Sequence, residues 1–162
     1  MEKVEHSQMK VISVNISKEK GTIKIPVEKI QLKIDHGIIG DAHAGNWHRQ
    51  VSLLAEESLK KMQKKLPSLK PGDFAENIMT QGIDLHHLPI GTRLIIGACE
   101  LEVTQIGKVC HKGCEIRNIV GECIMPSEGI FTIVKKEGYI YPGDQISIKE
   151  IPKENLEDKN EL

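Results

Sequence analysis

The stretch Arg93–Gln105, RLIIGACELEVTQ, reads as two strands folded back on each other, and that reading decides the fold. Leu101 and Val103 alternate with Glu100, Glu102 and Thr104, the period-two pattern of a strand with one face in the core and one in water. Gly97 joins this run to Arg93–Ile96 in hairpin fashion. Gln105 falls in an inward-facing slot of the alternation, so the second strand is expected to end at a polar site.

Working outward, Met9–Ile16, Thr22–Val27 and Lys29–Ile34 read as three further strands, with Gly21 turning the chain between the first two. In the third, Ile30, Leu32 and Ile34 alternate with Lys29, Gln31 and Lys33. Val51–Leu54 is a short buried strand, and Ala55–Leu66 a helix with Leu59, Met62 and Leu66 on one face, stopped by Pro67. Lys70–Thr80 opens on a Pro-Gly-Asp turn and runs into an apolar strand through Ile78. Ile130, Phe131, Ile133 and Val134 suit a helix or a strand, and a second Pro-Gly-Asp turn precedes a strand holding Ile146 and Ile148. Short strands with Gly-Asp turns and one clear helix predict a mostly β, barrel-like or sandwich-like domain with a few inserted helices. Residues 1–150 are read as that single domain and 151–162 as a polar C-terminal tail.

The charge balance, 22 Lys plus Arg against 23 Asp plus Glu, lacks the basic excess of a general nucleic-acid binder. Any anionic ligand must be held by a local cluster. No apolar run approaches the roughly 20 residues that span a bilayer, and MEKVEHSQMK has no signal-peptide core. The expectation is a cytoplasmic protein with neither nucleic acid nor membrane as partner. Cys99, Cys110, Cys114 and Cys123 crowd into one segment, which in a reducing compartment favours chemistry or metal over structural disulfides.

Two stretches carry the chemistry. Asp35–Gln50, DHGIIGDAHAGNWHRQ, has no sustained period, three glycines, three histidines and the one tryptophan, and reads as a long binding loop. Val103–Ile116, VTQIGKVCHKGCEI, breaks at Gly107 and places Cys110 among Lys108, His111 and Lys112, with Arg117 just beyond. Nearby cations lower a thiol's pKa and make it nucleophilic, although a free cysteine is often only a small buried hydrophobe. Cys114 would share a face with Cys110 on a helix and serve as a resolving thiol, or simply pack. Alternatively, Cys110, His111, Cys114 and Cys123 supply four zinc ligands in a non-catalytic, zinc-stabilised scaffold, without the usual Cys-x-x-Cys knuckle. Asp41 and Asp73, each after a glycine, are expected to shape turns.

Five segments resemble a known family: GIIGDAHAGNWHRQVSLL (Gly37–Leu54), PGDFAENI (Pro71–Ile78), LPIGTRLIIG (Leu88–Gly97), VTQIGKVC (Val103–Cys110) and PSEGIFTIVKKEGYIYPGDQI (Pro126–Ile146). In order and spacing they are similar to the MOSC domain, the C-terminal domain of molybdenum-cofactor sulfurases, which also occurs as short stand-alone proteins. The resemblance implies a β-barrel-like fold and a functional cysteine at Cys110, acting as persulfide carrier or as molybdenum ligand. It implies the molybdenum cofactor (molybdopterin) as ligand, and a cysteine desulfurase-type sulfur donor and molybdenum-cofactor proteins as partners. Pyridoxal phosphate would then sit on the separate donor protein. The implied activity is sulfur transfer, or reduction of N-hydroxylated substrates by a cofactor-loaded form.

The pterin phosphate would need cations, for which His43, His48 and Arg49 are the candidates, with Lys108, His111 and Lys112 as support. Arg49 has a plainer alternative in pairing with Glu56 or Glu57, and the histidines in simple exposure. Asn77 either orients the ligand or satisfies backbone groups. The chain departs from the family pattern at Ala42, where a basic residue is usual, and at Gly107-Lys108-Val109, where a proline is usual.

Overall fold

A computed structural model describes residues 9–107 and 124–152. Cys110 and its neighbours Lys108, His111 and Lys112, together with Cys114, Cys123 and the tail beyond Pro152, lie outside the described residues. The strands are β1 (Lys10–Ile16), β2 (Ile25–Val27), β3 (Ile30–Lys33), β4 (Gly37–Ile38), β5 (Val51–Ala55), β6 (Ile78–Gln81), β7 (Arg93–Ile96), β8 (Cys99–Ile106), β9 (Ile130–Lys136), β10 (Gly138–Ile140) and β11 (Ile146–Glu150). Helices are few: α1 (Glu56–Gln63), α2 (Met125–Glu128) and a 3₁₀ turn at Leu85–His87. The mostly β expectation holds, and no helix among the described residues is long and apolar enough to cross a membrane.

The hairpin that opened the sequence is β7–β8, with Arg93 opposite Glu102 and Ile96 opposite Cys99. It sits inside an eight-stranded sheet of order β11-β7-β8-β9-β5-β6-β1-β2, faced by a three-stranded sheet β10-β3-β4. The ladder is not continuous around a barrel. Its two ends meet instead where β1 bonds to the turn before β11: Val11 N donates to Asp144 O (2.9 Å), Gly143 N to Val11 O (2.8 Å), and Lys10 bridges Gln145. The outer edge of β1 is thus shared between that turn and β2. The Ile130–Lys136 stretch, which periodicity left open, is β9, antiparallel to both β8 and β5. Five apolar or small residues in a row make β5 a central strand buried on both faces.

Two cores follow from that placement. Val51 and Leu53 face the main core between the sheets, with Leu32, Ile38, Leu94, Leu101 and Val103. Leu54 faces outward into a second cluster, where Leu59 and Met62 of α1 cover Met79, Phe74 and Phe131. Each of these buried side chains contributes about 1.5–3 kcal/mol by leaving water.

Two polar groups break the simple inside-outside pattern. Lys24 is 1% exposed while its neighbour Ile25 is 56% exposed. The phase is set by ion pairing. Lys24 Nζ lies 2.8 Å from Asp41 Oδ1 and 3.0 Å from Ser17 Oγ, in a pocket where both charged side chains are fully buried. The second is Glu76 of the PGDFAENI turn, wholly buried, with Oε2 accepting from Gly72 N at 2.6 Å and Oε1 without a partner among the described residues. Burial pushes its carboxyl up to about 7 against the backbone bonds that favour the charge. Gly72 itself must lack a side chain, because at φ +93° a Cβ would sit 2.1 Å from the Lys24 carbonyl oxygen.

Candidate functional site

The long loop between β4 and β5 is built around Asp41. Its Oδ1 accepts from Ser17 N (3.1 Å) and Lys24 Nζ, and its Oδ2 accepts from His43 N (3.0 Å). Burial works to raise this carboxyl, but Lys24 and the hydrogen bonds prevail and hold it below its ordinary value. The turn-shaping expected of Asp41 is therefore present, with a buried counter-ion that sequence alone did not identify. Asp73 likewise caps its own turn, accepting from Lys70 N at 2.9 Å.

His43 Nδ1 lies 3.0 Å from Lys24 Nζ, so the ammonium donates to it. The His43 carbonyl accepts from Trp47 Nε1 at 2.9 Å, which fixes the indole. Arg49 stacks on that indole, its guanidinium carbon 4.7 Å from the ring centroid, and stands 5.7 Å from the Phe131 ring. Lys20 lies 5.3 Å from the same indole. Arg49 forms no ion pair with Glu56 or Glu57; its Nε is buried and has no acceptor among the described residues. An orphan guanidinium donor beside aromatic faces fits a flat, anionic ligand.

Loop and hairpin meet at the end of β8. The register between β8 and β9 shifts between Val103 and Gln105, a bulge that inverts the alternation. Ile106, not Gln105, then packs on the core, which corrects the inward slot expected for Gln105. Released from the core, Gln105 Oε1 lies 2.9 Å from His48 Nε2, and its Nε2 donates to Gly107 O at 2.7 Å. Thr104 Oγ1 donates to His48 O. Gly107 closes the strand at φ +67°, where a Cβ would come 2.0 Å from Pro126 O. Cys110 is three residues further on. Beside this junction a cleft of about 340 Å³ is lined by Trp47, His48, Gln50, Thr104 and Lys135, among others.

His43, His48 and Arg49 thus share one loop wall, to which the structure adds Lys20, Gln105 and Lys135. Sequence gave a signal only for Gln105. Asn77 stands elsewhere. It is fully buried, its Oδ1 accepting from Ser52 N (3.0 Å) and its Nδ2 donating to Asn15 O (3.1 Å), so it ties β1 to β5 and β6. Cys99 is also apart from the site. It begins β8, about 24 Å from Ile106 at the usual rise, and burial, with Asp144 nearby, pushes its thiol up to about 11. It is a packing residue, not a member of a reactive cysteine group.

The architecture is similar to several solved proteins. The YuaD protein from Bacillus subtilis is 22% identical with a TM-score of 0.71, covering 85% of this chain and 93% of that one. YiiM from Geobacillus stearothermophilus is 18% identical (TM-score 0.67, covering 88% and 75%), and YiiM from Escherichia coli 17% (0.63, covering 88% and 71%). At such identities the likeness establishes the fold alone. No similar sequence is found among curated proteins. The model of the MOSC domain matches residues 40–147, from the Gly40-Asp41 turn that seats Lys24 to β11, and so takes in both the loop wall and the strand leading to Cys110. On that match the chain belongs to the MOSC domain family, which is linked to molybdenum-cofactor biology.

Proposed function

We propose that this protein handles sulfur for the molybdenum cofactor, with the Cys110 thiolate as the group that carries it. The observation that supports this reading is the chain of hydrogen bonds from His48 through Gln105 to the Gly107 carbonyl, which joins the cationic loop to the segment bearing Cys110. In the transfer step the Cys110 thiolate attacks the terminal sulfur of a persulfide on a cysteine desulfurase-type donor. The donor thiolate leaves, and Cys110 holds the sulfur as its own persulfide, with no net oxidation or reduction. A persulfide is a reversible cysteine state, so the sulfur can be passed on.

Arg49, Lys20 and His48 would hold the cofactor's phosphate and pterin, the guanidinium supplying its unused Nε–H and Trp47 the aromatic wall. When bound, the cofactor supplies a thiophilic metal centre to receive sulfur. The chain's own residues orient the ligand.

Purification from a host that makes the cofactor is expected to yield protein carrying pterin and molybdenum, measured by fluorescence after oxidation and by metal analysis. Arg49→Ala should lower both by about tenfold, the loss of one charge-assisted contact. Wild-type protein free of pterin would overturn the cofactor assignment.

A further inference from the structure

A second cavity of about 480 Å³, sharing no lining residue with the first, is lined by Glu57, Ser58, Lys61, Asp84, His86 and Glu128, among others. Asp84, Leu85 and His86 of the sequence DLHH line it, and His87 follows directly. Leu85 is 1% exposed and anchors the 3₁₀ turn in the main core, which turns its neighbours Asp84 and His86 to the surface. Residues three apart eclipse in a 3₁₀ turn, and His87 Nδ1 accordingly lies 2.6 Å from Asp84 Oδ2. His86 joins them although it is not the eclipsed residue: its Nδ1 is 3.7 Å from Asp84 Oδ1, and the two imidazole centroids are 4.2 Å apart.

An aspartate before a helical turn ordinarily caps the backbone N–H groups. Asp84 makes no such bond and offers both oxygens to the imidazoles. Ligand atoms of the three side chains all fall within 4.8 Å of one another. Nitrogen and oxygen ligands at about 2.0–2.2 Å from a tetrahedral zinc are about 3.4 Å apart, so the His86–Asp84 separation already suits a shared metal. The His87–Asp84 contact is shorter because a proton occupies the place of the ion. Glu57 and Glu128 add negative charge around the cavity, and the one lysine lining it, Lys61, is bonded to Glu128.

We infer that Asp84, His86 and His87 form a site for a borderline divalent transition metal, of the zinc or cobalt class, with its open coordination position facing the cavity beside α1. Two imidazoles and a carboxylate leave that fourth position to water or to a ligand entering between Ser58 and His86.

The test is Co²⁺ titration of the untagged full chain, followed by visible absorption. One Co²⁺ per chain should bind with d–d bands and without thiolate charge-transfer absorption, and His86→Ala with His87→Ala should weaken binding by at least about tenfold while leaving circular dichroism unchanged. Asp84→Asn should weaken it as well. A variant with Cys110, Cys114 and Cys123 all replaced by Ser should bind as the wild type does. Retained binding in the double histidine variant, or thiolate charge transfer in the wild type, would overturn the site and assign the metal to the cysteines.

Discussion

Lys24→Met is expected to destabilise the fold by about 3–5 kcal/mol, because it leaves the Asp41 carboxylate buried without its counter-ion. Both side chains of the pair are fully buried, and no other cation is within bonding distance of Asp41 among the described residues except through His43. Adding Asp41→Asn to Lys24→Met should restore much of the loss, since the remaining polar group is then neutral. Urea unfolding of the two single variants and the double measures this coupling. The acid limb gives an independent check. Asp41 has a folded value below its unfolded one, so its stabilisation is full above the unfolded value and lost as pH falls through the folded one. The deficit of Lys24→Met relative to wild type should therefore be greatest near neutrality and shrink in acid.

Lys24 also marks the limit of what pattern reading can reach. Alternation found β3 and β8 because their faces obey hydrophobicity, and helical spacing found α1. It gave no sign that Lys24 is buried, because the deciding partner is 17 residues away, in a loop with no period. Strand β9 stayed open to two readings because its pattern IFTIV has apolar residues on both faces, each meeting a different core. Gln105 was rightly singled out for its polarity and wrongly aimed, since a bulge is a property of two strands and not of one. The loop wall was legible as residue types, His43, His48 and Arg49; that Arg49 stacks on Trp47 and leaves a donor unused required coordinates. The DLHH turn carried ligand-bearing residues in plain view, yet sequence offered no way to know that they converge.

Glu76→Gln is expected to stabilise the protein, an unusual sign for replacing a wholly buried charged residue. The folded carboxyl titrates near 7 against an ordinary value of 4.5. Between these values the folded state binds more protons than the unfolded state, so wild-type stability falls as pH rises through that window. The variant mimics the protonated carboxyl and keeps an oxygen to accept from Gly72 N. Its stability curve should join the wild type's below about pH 4.5 and separate from it through pH 7, reaching about 3 kcal/mol above that point. Urea midpoints at a series of pH values test this, and a gap independent of pH would show that Glu76 ionises freely in the folded protein.

These charges fix the loop wall of the site: Lys24 pairs with Asp41, and Glu76, through Gly72, braces the backbone at Lys24. The central claim, that the junction they support serves a sulfur-carrying thiol, is tested most directly by intact-mass measurement after incubation with a cysteine desulfurase and cysteine. The account predicts one added sulfur per chain, removed by a reductant, retained in a Cys99→Ala variant and lost in Cys110→Ala. Equal sulfur loading of wild type and Cys110→Ala would contradict it.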